Sequence, residues 1–76
     1  MFHGKQEVPV STPFIKLDSF LKLAGACMTG GEAGMYIRDG QVSVCGAVCT
    51  QRGRKLYPGD EVCLNGTCFV VTRHAH

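Results

Sequence analysis

Apolar residues recur at Leu17, Phe20, Leu21 and Ala24, the spacing that lines one face of an α-helix. This predicts a first helix over Leu17 to Ala24, with Asp18 at its positive end and Gly25 able to close it in a left-handed conformation. Lys22 falls on the opposite, wet face. A second stripe of Ala33, Tyr36 and Ile37 predicts a helix over Gly30 to Asp39, stopped by Gly40. Thr29 and Glu32 stand at the spacing of a capping box before it. Gly34 and Arg38, four residues apart, share another face of this helix.

Beyond Gly40 the period shortens to two. Val42 and Val44 alternate with Gln41, Ser43 and Cys45, so a half-buried strand is expected, with a turn at Gly46 and a short partner strand at Val48. Thr50 to Lys55 contains no apolar residue and must lie at the surface, after which Leu56 and Tyr57 are expected to re-enter the core. Pro58-Gly59-Asp60 marks a turn, and Asn65-Gly66 between two apolar runs marks a two-residue hairpin. Counting outward from that turn pairs Leu64 with Thr67 and Cys63 with Cys68. Val62, Leu64, Phe69 and Val71 then face the core, and both cysteines face the other way. Met1 to Pro13 has no clear period and two of the three prolines, so it reads as an irregular arm, with a short extended piece at Phe14 to Lys16. Helices followed by short strands predict a compact α+β unit.

Composition narrows this picture without naming a function. A chain of 76 residues supports one thin core, and its 45% hydrophobic and 18% charged content is that of a folded domain. There is no long apolar run and no signal-peptide pattern at the start, so the expected compartment is cytoplasmic, with no membrane partner. The net charge of +2 carries little information when spread over the surface. Clustered charge carries more: Arg52, Arg54 and Lys55 lie within four residues on the expected surface segment. Guanidinium groups bind phosphate bidentately, which makes Arg-Gly-Arg-Lys suited to a sugar-phosphate backbone. Ordinary solubility charge is the competing explanation. The Gly30-Gly31 amides at a helix start are suited to a phosphate, or to a plain flexible turn.

The five cysteines are the other candidate chemistry. Their number is odd and no export signal precedes them, so reduced thiols are expected. The hairpin register places Cys63 and Cys68 within disulfide reach, a bond that a reducing cytoplasm disfavours. Cys45, Cys49, Cys63 and Cys68 make two pairs that suggest a zinc or redox module, though their spacings are looser than the usual zinc knuckle. Small semi-buried side chains are the simpler reading. His3, His74 and His76 lie in the terminal segments, away from any nucleophile, and Asp18, Asp39 and Asp60 have turn or cap roles. No catalytic site, resident metal or cofactor is therefore expected.

Several pieces taken together resemble the S4 family of RNA-binding domains, in particular its short single-domain bacterial, ribosome-associated members. They are Phe20-Leu21-Lys22-Leu23, the Gly30-Gly31-x-Ala33 opening of the second helix, Gly40-x-Val42-x-Val44-x-Gly46, Arg52-Gly53-Arg54-Lys55-Leu56 and Pro58-Gly59-Asp60-x-Val62. The likeness runs from about Ile15 to Val71. It implies the αL fold, in which two N-terminal helices pack on a small bent antiparallel sheet with a C-terminal hairpin. The expected layout is an arm over 1–13, the RNA-binding domain over 14–72 and a tail over 73–76. Lys22, Arg38, Arg52, Arg54 and Lys55 would face structured RNA, ribosomal RNA first among the partners. Gly34 stands where the family usually has Lys or Arg, and Cys45 where it usually has Asn. The function expected from the resemblance is non-enzymatic RNA binding; a cysteine-based module and a ribosome-bound protein adaptor are the rivals.

Overall fold

Residues 5–74 are described by a computed structural model. The chain runs β1 (Gln6–Val10), β2 (Ile15–Lys16), α1 (Leu17–Leu23), α2 (Gly30–Arg38), β3 (Val42–Val44), β4 (Ala47–Val48), β5 (Lys55–Leu56), β6 (Glu61–Leu64) and β7 (Thr67–Arg73). This is the expected α+β class. Both helices form where the apolar stripes place them, and Leu17, Phe20, Leu21, Ala33 and Ile37 are each 0% exposed.

Each helix is finished by local chemistry. After α1, Gly25 at φ +80° lets its own N–H reach the Lys22 carbonyl while the Ala26 N–H reaches Leu21; Gly40 at φ +76° does the same for α2, through Ile37 and Tyr36. At the start of α2 the Thr29 Oγ1 accepts from the Glu32 N–H at 3.1 Å. The Glu32 carboxylate accepts in return from the Met28 N–H at 2.8 Å, one residue earlier than a standard capping box. The N-cap residue of α1, Lys16, makes no side-chain cap bond. The Ser19 N–H is taken by Asp18 Oδ1 at 2.7 Å, and the first two amides of α1 are satisfied from elsewhere in the chain, an arrangement that fixes the basic segment.

The strands form a five-stranded sheet in the order β1-β7-β6-β3-β4 and a two-stranded pair, β2-β5. The hairpin register is as counted, Leu64 opposite Thr67 and Cys63 opposite Cys68. Val62, Leu64, Phe69 and Val71 are all buried. Phe20 of α1 meets Phe69 of β7 edge to face at 6.3 Å, joining helix and sheet. Val42 and Val44 of β3, Leu56 of β5 and Ala33 and Ile37 of α2 complete one core.

Three expectations need correction. The segment read as an irregular arm contains β1, which pairs parallel with β7, Val8 opposite Val71. The sheet is therefore mixed, not antiparallel, and strands precede the helices. Val8 and Val10 are buried between exposed Glu7 and Pro9, so a period of two is present; a proline is tolerated because β1 is an edge strand. Tyr57 does not re-enter the core. It is 50% exposed, because a strand turns consecutive side chains to opposite faces and Leu56 takes the buried one. Finally, Cys63 and Cys68 are joined in a disulfide. They are the first pair beyond the turn-closing pair, where opposed residues approach most closely, and their Cα atoms are 4.0 Å apart. Cys27, Cys45 and Cys49 are free thiols.

Candidate nucleic-acid interface

The basic segment is held at both ends by buried residues, Cys49 before it and Leu56 after it. Between them the chain is exposed from Thr50 to Lys55. A turn closed by the Arg54 N–H on the Gln51 carbonyl, at 3.1 Å, brings the backbone against the start of α1. There the Leu17 N–H donates to the Arg54 carbonyl at 2.9 Å and the Asp18 N–H to the Arg52 carbonyl at 3.2 Å. A helix start leaves such amides without intrahelical partners, and the basic segment supplies the acceptors. The segment that carries the charge is thus also the cap of α1.

The Arg52 side chain is fixed as firmly as its backbone. Its Nε and Nη2 lie 3.2 and 3.1 Å from Asp18 Oδ2, and Nη2 also donates to the Gly30 carbonyl at 3.3 Å. The guanidinium therefore bridges α1 and the first turn of α2. It lies flat over Gly34: a Cβ built there would stand 2.7 Å from Nη1 and 3.0 Å from Cζ. A Cβ at Gly30 would meet Arg52 Nη2 and Lys22 Cδ, each at 3.9 Å, which places Lys22 beside Arg52. Gly30, Gly34 and Arg38 follow one another at intervals of four along one face of α2. Arg38 is displaced about 12 Å along the axis from Gly30, at about 1.5 Å per residue.

The Lys55 ammonium lies 4.8 Å from the centre of the Phe14 ring, which in turn packs against Tyr57 at 6.0 Å. Lys16 stands directly across from Lys55 in the β2–β5 pair. Sequence reasoning missed Lys16, Phe14 and Tyr57 as neighbours of the basic segment; the two-residue alternation of Leu56 and Tyr57 was the signal that could have found the exposed ring. Among the described residues, ion pairs join Arg52 to Asp18 and Lys5 to Glu61. Lys16, Lys22, Arg38 and Arg54 are exposed and have no ion-pair partner among the described residues.

The cysteines do not converge as a four-ligand site. Cys49 lies in the core and Cys45 is exposed, its Sγ 3.8 Å from Asp60, while Cys63 and Cys68 occupy the outer sheet face. Cys27 is buried beside Glu32, and its thiol pKa is raised above the ordinary 9.0, first by desolvation and then by the carboxylate. A cavity of about 320 Å³, lined by Ala24, Ala26, Leu64, Phe69 and their neighbours, contains no titratable side chain. His3 and His76 lie outside the described residues; the His74 N–H donates to the Val10 carbonyl at 2.8 Å. Among the described residues no helix is long and apolar enough to cross a membrane.

A family model described as an S4 domain matches residues 8–72. The chain is similar to the probable ribosome maturation protein RlbA of Bacillus subtilis strain 168, with 39% identity over 59 residues that cover 78% of this chain and 83% of that protein. It is also similar to the solution structure of YbcJ from E. coli, described as revealing an αL motif involved in RNA-binding. That likeness has a TM-score of 0.71 and 32% identity, covering 95% of this chain and 96% of YbcJ.

Proposed function

The chain belongs to the S4 domain family, and from that premise we propose that it is a non-enzymatic RNA-binding module that docks a preformed basic face on structured RNA. The face consists of Lys22, Arg38, Arg52, Arg54 and Lys55, carried by two helices and the segment that caps the first of them. The observation that supports it best is the Arg52 guanidinium, which Asp18 and the Gly30 carbonyl hold flat across Gly34 with Lys22 alongside. A guanidinium fixed before binding loses less entropy on meeting a phosphate than a free one does.

Cations carried on rigid elements at fixed spacings read the shape of a folded RNA through its phosphates and 2′-hydroxyls, with little base readout. The relative in Bacillus subtilis is described as a probable ribosome maturation protein, which favours ribosomal RNA as the partner here. The exposed pair Phe14 and Tyr57 beside Lys55 adds ring faces on which an unpaired base could stack.

The test is a filter-binding titration against a folded ribosomal RNA fragment at several salt concentrations. Arg52→Ala together with Arg54→Ala is expected to weaken binding and to flatten its salt dependence while the circular dichroism stays that of the wild type. Unchanged affinity and slope would remove the basic segment from the interface.

A further inference from the structure

The sheet face turned away from the helices carries a group of side chains that lies outside the proposed RNA face. Cys63 and Cys68 oppose each other across β6 and β7. Glu61, two residues before Cys63 on the same strand face, brings Oε2 to 3.8 Å from the Cys63 Sγ. One ligand atom from each of the three residues lies within 4.8 Å of the others, and all three residues are half-buried. The other carboxylate oxygen, Oε1, is 3.3 Å from Lys5 Nζ on the neighbouring segment, so Oε2 is left directed at the sulfurs.

We propose that this face is a binding site for a soft divalent cation of the zinc class, closed while the Cys63–Cys68 bond stands and opened by its reduction. In the opening step a dithiol reductant gives two electrons and two protons. The S–S bond breaks, two thiols form, and the reductant becomes a disulfide. Binding of the cation then releases the two thiol protons, so each Cys ligates as thiolate.

The dimensions agree with tetrahedral coordination. Zinc bonds of about 2.3 Å to sulfur and about 2.1 Å to oxygen put a ligating S and O about 3.6 Å apart, near the separation already present between Glu61 and Cys63. Two ligating sulfurs stand about 3.8 Å apart, a distance that opposed strand positions reach without moving the backbone. Three protein ligands leave the fourth position to water. Thiolates select against magnesium and calcium. Cys45 and Cys49 take no part, one lying beside Asp60 and the other in the core.

The probe is Cd²⁺ alone, added to the full chain with and without prior phosphine reduction, and read by thiolate-to-metal charge-transfer absorption. The reduced chain is expected to saturate at one ion per chain and the oxidised chain to give no band. Cys63→Ser and Cys68→Ser should each abolish the band, Glu61→Gln should move its midpoint to higher Cd²⁺, and Cys45→Ser should leave it unchanged. A reduced wild type without a band, or a band that survives Cys68→Ser, overturns the site. Far-UV circular dichroism on each variant separates loss of ligands from loss of fold, and RNA titration is not involved in the readout.

Discussion

The guanidinium of Arg52 occupies the space that a side chain at Gly34 would need, with Nη1 only 2.7 Å from the position of a Cβ. The helix position at which the family resemblance calls for a Lys or Arg is thus covered by a cation brought from the β4–β5 segment. Gly34→Ala is expected to displace Arg52 and leave the fold intact. The obstructing atoms are the far end of a flexible side chain, and alanine favours a helix interior by up to about 1 kcal/mol over glycine. The exposed Asp18 pair that would be lost is worth about 0–1 kcal/mol. Thermal unfolding should shift by only a few degrees while RNA affinity falls. A large drop in melting temperature would mean that the helix, not Arg52, had given way.

Lys22 and Arg38 test the width of the face. Lys22 lies beside Arg52, whereas Arg38 lies two turns further along α2. Each phosphate contact removed should make the log–log salt slope shallower by roughly 0.7–0.9. Lys22→Ala and Arg38→Ala are therefore each expected to produce about that change, with stability within about 0.5 kcal/mol of the wild type. A residue whose loss leaves the slope alone does not touch the RNA.

What could be read from the chain in advance was what depends on near neighbours. The two helices, their glycine ends, the Thr29 cap and the Asn65-Gly66 hairpin each rest on residues within a turn or two of one another, and all are in place. The parallel pairing of β1 with β7 joins opposite ends of the chain, and Pro9 hid the alternation of Val8 and Val10. The Arg52–Asp18 pair spans 34 residues, so the sequence showed the cations of the candidate site but not which of them is tied down. For the same reason the sequence showed Gly34 only as a position without the family's usual Lys or Arg, not as the seat of the Arg52 guanidinium.

Burial and the nearby Glu32 raise the Cys27 pKa, which gives stability a signature in alkali. The folded chain holds the thiol proton more tightly than the unfolded chain. This contribution is complete below the unfolded value and is lost as pH rises through the higher folded one. Urea midpoints measured from about pH 7 to about pH 10 should fall more steeply for the wild type than for Cys27→Ala. Parallel curves would remove Cys27 as the source.

Reduction of the Cys63–Cys68 bond should leave the fold standing. The bond closes a loop between residues five apart, and chain-entropy reasoning assigns so short a loop about 2 kcal/mol at most. The hairpin keeps its two-residue turn and its buried face of Val62, Leu64, Phe69 and Val71. Denaturant titration with and without reductant should differ by no more than that amount. Loss of the cooperative transition on reduction would make the disulfide a condition of folding.

The two tight hairpins of the sheet use the same backbone with different residues. Asn65 at φ +54° and Cys45 at φ +53° each occupy the first turn position before a glycine, joining β6 to β7 and β3 to β4. Left-handed backbone costs an ordinary L-residue roughly 1–2 kcal/mol, and asparagine lowers that cost by hydrogen bonding locally. The Cys45 Sγ has only a contact at 3.8 Å to Asp60 in compensation, and Asp60 keeps a separate bond from the Tyr57 N–H at 2.9 Å. Cys45→Asn is therefore expected to stabilise the domain by up to about 1 kcal/mol, whereas Asn65→Cys should destabilise it by a similar amount. Neither residue belongs to the basic face, so RNA affinity should not change in either variant. Equal stability of Cys45→Asn and wild type in denaturant titration would show that the Asp60 contact offsets the strain.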